Sequence, residues 1–339
     1  MTREFQIQPG VREKVPLFVG LVGPSGSGKT YSALRLATGM KKAHGGPIIF
    51  IDTENRRALH YATDFEFLHL EFGAPYGSLD YLAAINQAAD LNPSAIIIDS
   101  MSHEHEGPGG LLEAHERELD RMVPAGAPEW KRDSMGFAAW QKPKTDRRAL
   151  LQGLTRTTAN VIACFRAQEK TKLVKNDKGK MVPTIIGWSA ITDQTFVYEM
   201  TMCALLLPSA KGVPTWDTDM PAERAAMKRP GQFEDIIRNG EALCEDHGYA
   251  LARWAAGGAD PKKPQARDID ALKAEGQHAA NLGTSFLQAF WKRLTKAEQT
   301  SLKETLDTNW KPAAAKADAK VSEPEDESFA LTNEGEADE

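Results

Sequence analysis

The sequence predicts an α/β chain: an open, mostly parallel central sheet flanked by helices, then a small helical unit and an acidic tail. Three observations lead there. Short apolar runs of strand type (residues 17–22, 47–52, 94–99 and 160–168) alternate with helix-patterned stretches. The first run opens directly into a glycine-rich turn followed by a helical pattern. The character then changes after Pro208, and changes again beyond Pro312, where alanine, lysine and acids dominate.

The glycine-rich turn is the most specific stretch. Gly23-Pro24-Ser25-Gly26-Ser27-Gly28-Lys29-Thr30 is the full phosphate-loop pattern, in its strand–loop–helix context. Glycines let the backbone turn several N–H groups into one concavity, and the helix adds its positive N-terminal end. In such a loop Lys29 reaches the β- and γ-phosphates and the Thr30 hydroxyl holds Mg²⁺. A nucleoside triphosphate with Mg²⁺ is the expected ligand.

The remaining elements follow in order. Residues 1–16 form an arm, read either as a loosely packed terminus or as a segment docking on a neighbouring subunit. A helix over 31–40 turns Leu34, Leu36 and Ala37 inward and stops at the glycines 45–46. Residues 47–54 read as a buried strand ending in Asp52 and Glu54. A helix over 78–90 has Leu82, Ile85 and Ala89 on one face, with Ser78 as its cap. The strand 94–100 delivers Asp99 to its C-terminal edge beside the phosphate loop, where a carboxylate orients a water on Mg²⁺. Asp52 competes for that role. Residues 111–122 and 145–158 read as helices, 123–136 as a connection, 173–182 as a charged hairpin turning at 176–179, and 196–207 as one more strand.

These elements divide the chain into an arm (1–16), an α/β core (17–215), a helical extension (216–257) and a linker (258–267). A helical unit (268–311), with a capping box at 295–298, and an acidic tail (312–339) expected to be disordered complete it. Net charge is −6; the tail holds nine acids and two lysines, which leaves the rest of the 339 residues near neutral. Cys164, Cys203 and Cys244 are too dispersed for a zinc module or a disulfide framework and fit a reducing compartment. No apolar run approaches a membrane span, and residues 1–15 lack a secretory pattern, so the expected location is cytoplasmic. His103-Glu104-His105-Glu106 contains metal-ligand types, but no third ligand is evident, and loop residues near the nucleotide or a partner are the simpler reading.

The phosphate loop, Ile49-Phe-Ile-Asp-Thr-Glu54 and Ile96-Ile-Ile-Asp99-Ser100, in this order, resemble the RecA-type recombination ATPases. Ala163-Cys-Phe-Arg166-Ala-Gln168, a charged hairpin and Thr195-Phe-Val-Tyr-Glu199 look like the small phage-encoded members tied to recombination and annealing. The resemblance covers about residues 17–207. It implies a RecA-like P-loop NTPase fold, ATP as substrate, and a homo-oligomer. It also implies that Glu54 orients and deprotonates the attacking water, although a helix-start carboxylate is the plain alternative. Gln168 would sense the γ-phosphate, or be an ordinary strand-end polar residue. No lysine pair matches the trans-acting finger of that group.

Two basic segments interleave with aromatics. One contains Lys142, Lys144, Arg147 and Trp140; the other contains Lys170, Lys172, Lys175, Lys178 and Lys180, with Trp188 beyond. A cationic track with rings for stacking suits single-stranded DNA, and solvated faces over a core are the alternative reading. The resemblance adds a single-strand-binding or annealing protein as a partner. A nucleotide-gated loader with little turnover, and a kinase, are the competing functions.

Overall fold

Within the sheet, Phe18–Gly23, Ile48–Asp52, Ala95–Asp99 and residues 160–165 are buried because helices cover both faces. The computed structural model describes residues 12–175, 179–257, 269–294 and 296–321, in two compact units divided after Lys262.

In the first unit the strands are β1 (Phe18–Gly23), β2 (Ile48–Asp52), β3 (Leu68–Glu71), β4 (Ala95–Asp99), β5 (Asn160–Lys175), β6 (Met181–Ala190) and β7 (Met202–Leu205). The helices are α1 (Lys29–His44), α2 (Ser78–Ala89), α3 (His103–Glu106), α4 (Leu111–Met122), α5 (Glu129–Ala139), α6 (Gln141–Arg156), α7 (Gln194–Glu199), α8 (Pro221–Ala225) and α9 (Glu245–Ala255). Among the described residues the seven strands form one sheet in the order β3-β2-β4-β5-β1-β7, all parallel, with β6 antiparallel to β5. The open, mostly parallel sheet read from the sequence is therefore the observed architecture.

Side-chain alternation splits each strand between two cores. Val19, Leu21, Phe50, Ile97 and Cys164 pack with Leu34, Leu36 and Met40 of α1 and Leu251 of α9. Val22, Ile49, Ile98, Val161 and Phe165 pack with Tyr81 and Ile85 of α2 and Leu150 and Leu154 of α6. Each such side chain contributes roughly 1.5–3 kcal/mol relative to exposure. On the first face α1 and α9 touch backbone to backbone. A Cβ at Gly39 would lie 1.9 Å from the Glu245 carbonyl oxygen, and one at Gly248 would lie 2.0 Å from that of Leu36. Arg35 and Glu245 close the same seam at 2.7 Å.

Several local expectations are corrected. Ser78 does not cap α2: Gly77 holds that position, and the Ser78 hydroxyl donates to buried Glu104 at 2.5 Å. Residues 129–136, read as part of a connection, belong to α5. Residues 196–199, read as the start of a strand, belong to α7, because the Asp193 carboxylate accepts the Thr195 N–H and caps a helix. The extension holds only α8, one short 3₁₀ turn and α9 as helix. At the described end of the arm the Arg12 guanidinium sits 4.8 Å from the Trp254 ring centre and donates to the Trp254 carbonyl at 3.0 Å, while residues 1–11 lie outside the described residues.

The second unit contains α10 (Ile269–Asn281), α11 (Thr284–Lys292), α12 (Lys296–Thr305), a wider π turn at Leu306–Trp310, and α13 (Lys311–Val321). Its core gathers Leu272, Leu287, Phe290, Leu302, Trp310 and Ala314. The tail expected to be disordered from 312 thus begins as a helix, with Ala314 in that core. Residues 322–339, the linker 258–267, residue 268 and Thr295 of the expected capping box lie outside the described residues. No helix among the described residues is long and apolar enough to cross a membrane.

Candidate nucleotide site

Parallel register places the C-terminal ends of β1, β5, β4 and β2 in one row. Gly23 pairs with Arg166, Cys164 with Asp99, and Asp99 with Asp52. The phosphate loop leaves this row and enters α1. Gly26 and Gly28 have φ of +78° and +96°, and a Cβ at Gly28 would lie 2.8 Å from the Gly212 backbone nitrogen. Only glycine meets both demands at position 28.

Across the loop, Lys29 Nζ donates to the Pro24 carbonyl at 2.8 Å, and Thr30 Oγ1 donates to Asp99 Oδ2 at 2.6 Å. Burial raises the Asp99 pKa to about 6, against the opposing pull of the Thr30 hydrogen bond and the Lys29 charge. Burial also lowers the Lys29 pKa, although Cys164, Asp99 and Glu54 act in the opposite sense. The Ser27 hydroxyl, buried within the loop, has no hydrogen-bond partner among the described residues. The resulting cleft has a volume of about 660 Å³ and is lined by Lys29, Thr30, Asp99, Glu54 and Arg166, with Tyr31 and Tyr61 among its aromatic lining residues.

The residue types fit a phosphate group and Mg²⁺. A hydroxyl and a carboxylate in contact make a hard-oxygen pair of the kind Mg²⁺ takes. The orphaned Ser27 hydroxyl and the Gly28 cradle lie in the loop that would hold the phosphates. Gly23, Pro24, Ser25, Gly26, Ser27, Gly28, Lys29, Thr30 and Asp99 are thus brought together in one place. Asp52 is not free for that work. It accepts the Glu54 and Ala58 N–H groups at 2.7 and 3.0 Å and meets His69 Nε2 at 3.1 Å, organising the turn after β2.

Glu54 reaches the cleft with a side chain 15% exposed. Its Oε1 accepts Arg166 Nε and Nη2 at 2.9 and 2.6 Å, and its Oε2 accepts Arg57 Nη1 at 3.3 Å. Gln168 lies two residues further along β5, exposed and opposite Ser189 of the hairpin; it does not line the cleft. Arg166 does, and the sequence reading gave it no role there, naming it within the stretch 163–168. The signal was available, because Arg166 follows the apolar run 161–165 just as Asp99 follows 95–98.

These side chains compose a phosphate-loop nucleotide site, and the family to which the sequence matches agrees with it. Residues 16–193 match the family described as AAA domain. The chain belongs to the AAA-domain family. Among solved structures, the AAA-domain chain is similar to a KaiC-like protein from the hyperthermophilic archaeon Pyrococcus horikoshii OT3. Identity is 14% over 52% of this chain and 85% of that one, with a TM-score of 0.26. No curated protein matches it. Membership makes this a P-loop ATPase domain of the AAA type.

The DNA-contact candidates fare unequally in the AAA-domain chain. Arg147 is removed from that group: its guanidinium is buried and donates to Glu104 at 3.1 and 2.5 Å. Lys142 is tied to Asp146 at 2.9 Å, and Lys144 sits 5.6 Å from the Trp140 ring centre, itself stacked on His115. Lys170, Lys172 and Lys175 are exposed along the hairpin, as is Lys180 beside its turn. Lys178 lies outside the described residues. The segment 103–106 is a helical turn rather than a loop, with Glu104 committed to Arg147. Among the described residues no group of three His, Cys, Asp or Glu could hold a metal ion.

Proposed function

We propose that this chain binds and hydrolyses ATP with Mg²⁺ as part of phage DNA recombination or replication, acting as a homo-oligomer on single-stranded DNA. The observation that carries the nucleotide half is the Thr30–Asp99 contact at 2.6 Å beside Lys29. In this reading Lys29 and the loop N–H groups hold the β- and γ-phosphates, and Tyr31 and Tyr61 offer apolar faces to the base. Thr30 and, through water, Asp99 would hold Mg²⁺, which when bound neutralises charge between the phosphate oxygens. Glu54 would orient the attacking water and accept its proton.

The DNA half is supported by the hairpin, where Lys170, Lys172 and Lys175 are exposed beside Leu173, Met181 and Ile185. Cations interleaved with apolar side chains suit a single strand whose backbone and bases both need partners. A second reading, a nucleotide-gated loader for a single-strand-binding or annealing protein, draws on one observation: the candidate base is already held by two guanidiniums. Phosphate release measured with and without single-stranded DNA separates the two, with Lys29→Ala as the inactive control. DNA-stimulated turnover supports the first; binding without turnover supports the second. Charge reversal at Lys172, Lys175 and Lys178 that leaves DNA affinity and its salt slope unchanged removes DNA from either.

A further inference from the structure

Resting on the ATPase reading above, we propose that Arg166 is a positioning residue, acting within its own subunit, that makes Glu54 available only when a nucleoside triphosphate fills the cleft. The chain would then tell triphosphate from diphosphate by the acceptor that one guanidinium chooses.

Two donors of Arg166 converge on a single oxygen, Glu54 Oε1, while Arg57 holds Oε2. A water offered to Oε1 has to compete with both N–H groups. The main chain of Arg166 is fixed on either side. Its N–H donates to Ser102 Oγ at 2.9 Å, and its carbonyl accepts the Ile191 N–H at 2.8 Å. Movement is therefore left to the side chain, which is 40% exposed and lines the same cleft as Lys29 and Thr30. Its charge is felt across that cleft: burial and, after it, Arg166 lower the His103 pKa, while Glu54 opposes them.

A guanidinium binds a phosphate through the same planar fork that it offers a carboxylate. A terminal phosphate carries more charge than Glu54 and offers three oxygens, so it is the stronger acceptor when both are in reach. A diphosphate lacks that group and leaves Arg166 on Glu54. Transfer of the guanidinium to the third phosphate opens Oε1 to water and places a cation where charge develops during phosphoryl transfer. Arg57, exposed and bonded at 3.3 Å to the other oxygen, has the weaker hold and is not needed for the exchange.

The test uses the full chain and compares affinities for ADP and a slowly hydrolysed ATP analogue, each with Mg²⁺, by titration calorimetry. Arg166→Ala is expected to weaken the triphosphate about tenfold or more and ADP by less than about twofold, collapsing the preference between them. Glu54→Gln is expected to abolish turnover yet tighten the triphosphate several-fold, because Arg166 loses its competing carboxylate; the tightening disappears when Arg166→Ala is added. A purely structural arginine would move both nucleotides equally. Equal losses for ATP analogue and ADP in Arg166→Ala, or the same tightening by Glu54→Gln with and without Arg166, overturn the proposal and leave the ATPase reading standing. A folded wild-type chain that binds neither nucleotide overturns both.

Discussion

Two arginine–glutamate pairs in this chain share their chemistry and differ in their surroundings. Arg147 meets Glu104 with both side chains sealed, 6% and 0% exposed. Arg166 meets Glu54 at the lip of the nucleotide cleft, with its side chain 40% exposed. A sealed ion pair cannot change partners without stranding a charge in a low dielectric, so the first pair acts as a joint between α3 and α6. A pair open to a cleft can give up one anion for another. Charge is equal in the two; access decides which is structure and which is mechanism.

The largest effect is expected where that comparison is easiest to break. Arg147→Ala leaves Glu104 fully buried with the Ser78 hydroxyl as its one remaining side-chain hydrogen-bond donor among the described residues, and should destabilise the fold by about 3–5 kcal/mol. Arg166→Ala should cost no more than about 1 kcal/mol, because its pair is partly solvated. Urea denaturation of the two variants measures the difference directly. Equal losses would erase the distinction between joint and switch.

Asp99 sharpens the comparison from the other side, as a buried acid whose one side-chain hydrogen bond among the described residues comes from a neutral hydroxyl. Its pKa is raised from 3.8 to about 6 by burial. The folded chain therefore favours the protonated form, and the stability that protonation gives is complete below pH 3.8 and lost as pH rises through 6. Above neutrality the bare carboxylate costs up to about 3 kcal/mol, taking roughly 1.4 kcal/mol per pKa unit. Asp99→Asn should stabilise the nucleotide-free protein by that order at pH 8 and by almost nothing near pH 4, while removing turnover. Thermal unfolding across that range tests the sign; a loss of stability at pH 8 contradicts it.

How much of this was legible in the sequence follows the range of the interaction. The phosphate loop is local, and so is the carboxylate at the end of an apolar run; both stood where the letters put them. The residues 23, 99 and 166 came together through parallel register, which no local pattern specifies. Arg147 read as one of the DNA-contact cations because its partner lies 43 positions away, on a turn read as a loop. Gln168 was expected at the nucleotide because sequence does not reveal where a strand of 16 residues leaves the sheet and becomes a ribbon. Pro128 and Gly136 made residues 123–136 read as connection, yet Pro128 stands at the N-cap of α5, where its missing N–H costs nothing.

The smallest expected effect concerns cations that have no such partners. Lys170, Lys172 and Lys175 are exposed and make no ion pair among the described residues. By strand alternation Lys170 and Lys172 share one face of the ribbon with Val174, whereas Lys175 lies on the face of Leu173 and its cross-strand neighbour Pro183. Reversing Lys170 and Lys172 together should leave stability within about 0.5 kcal/mol, as for other surface changes. If that face tracks a single strand, the slope of log affinity against log salt should fall by about 0.7 for each phosphate that is no longer neutralised. Reversing Lys175 alone should then change the slope far less. Equal changes from the two faces would mean that the ribbon acts through its general field, and that no strand lies along one side of it.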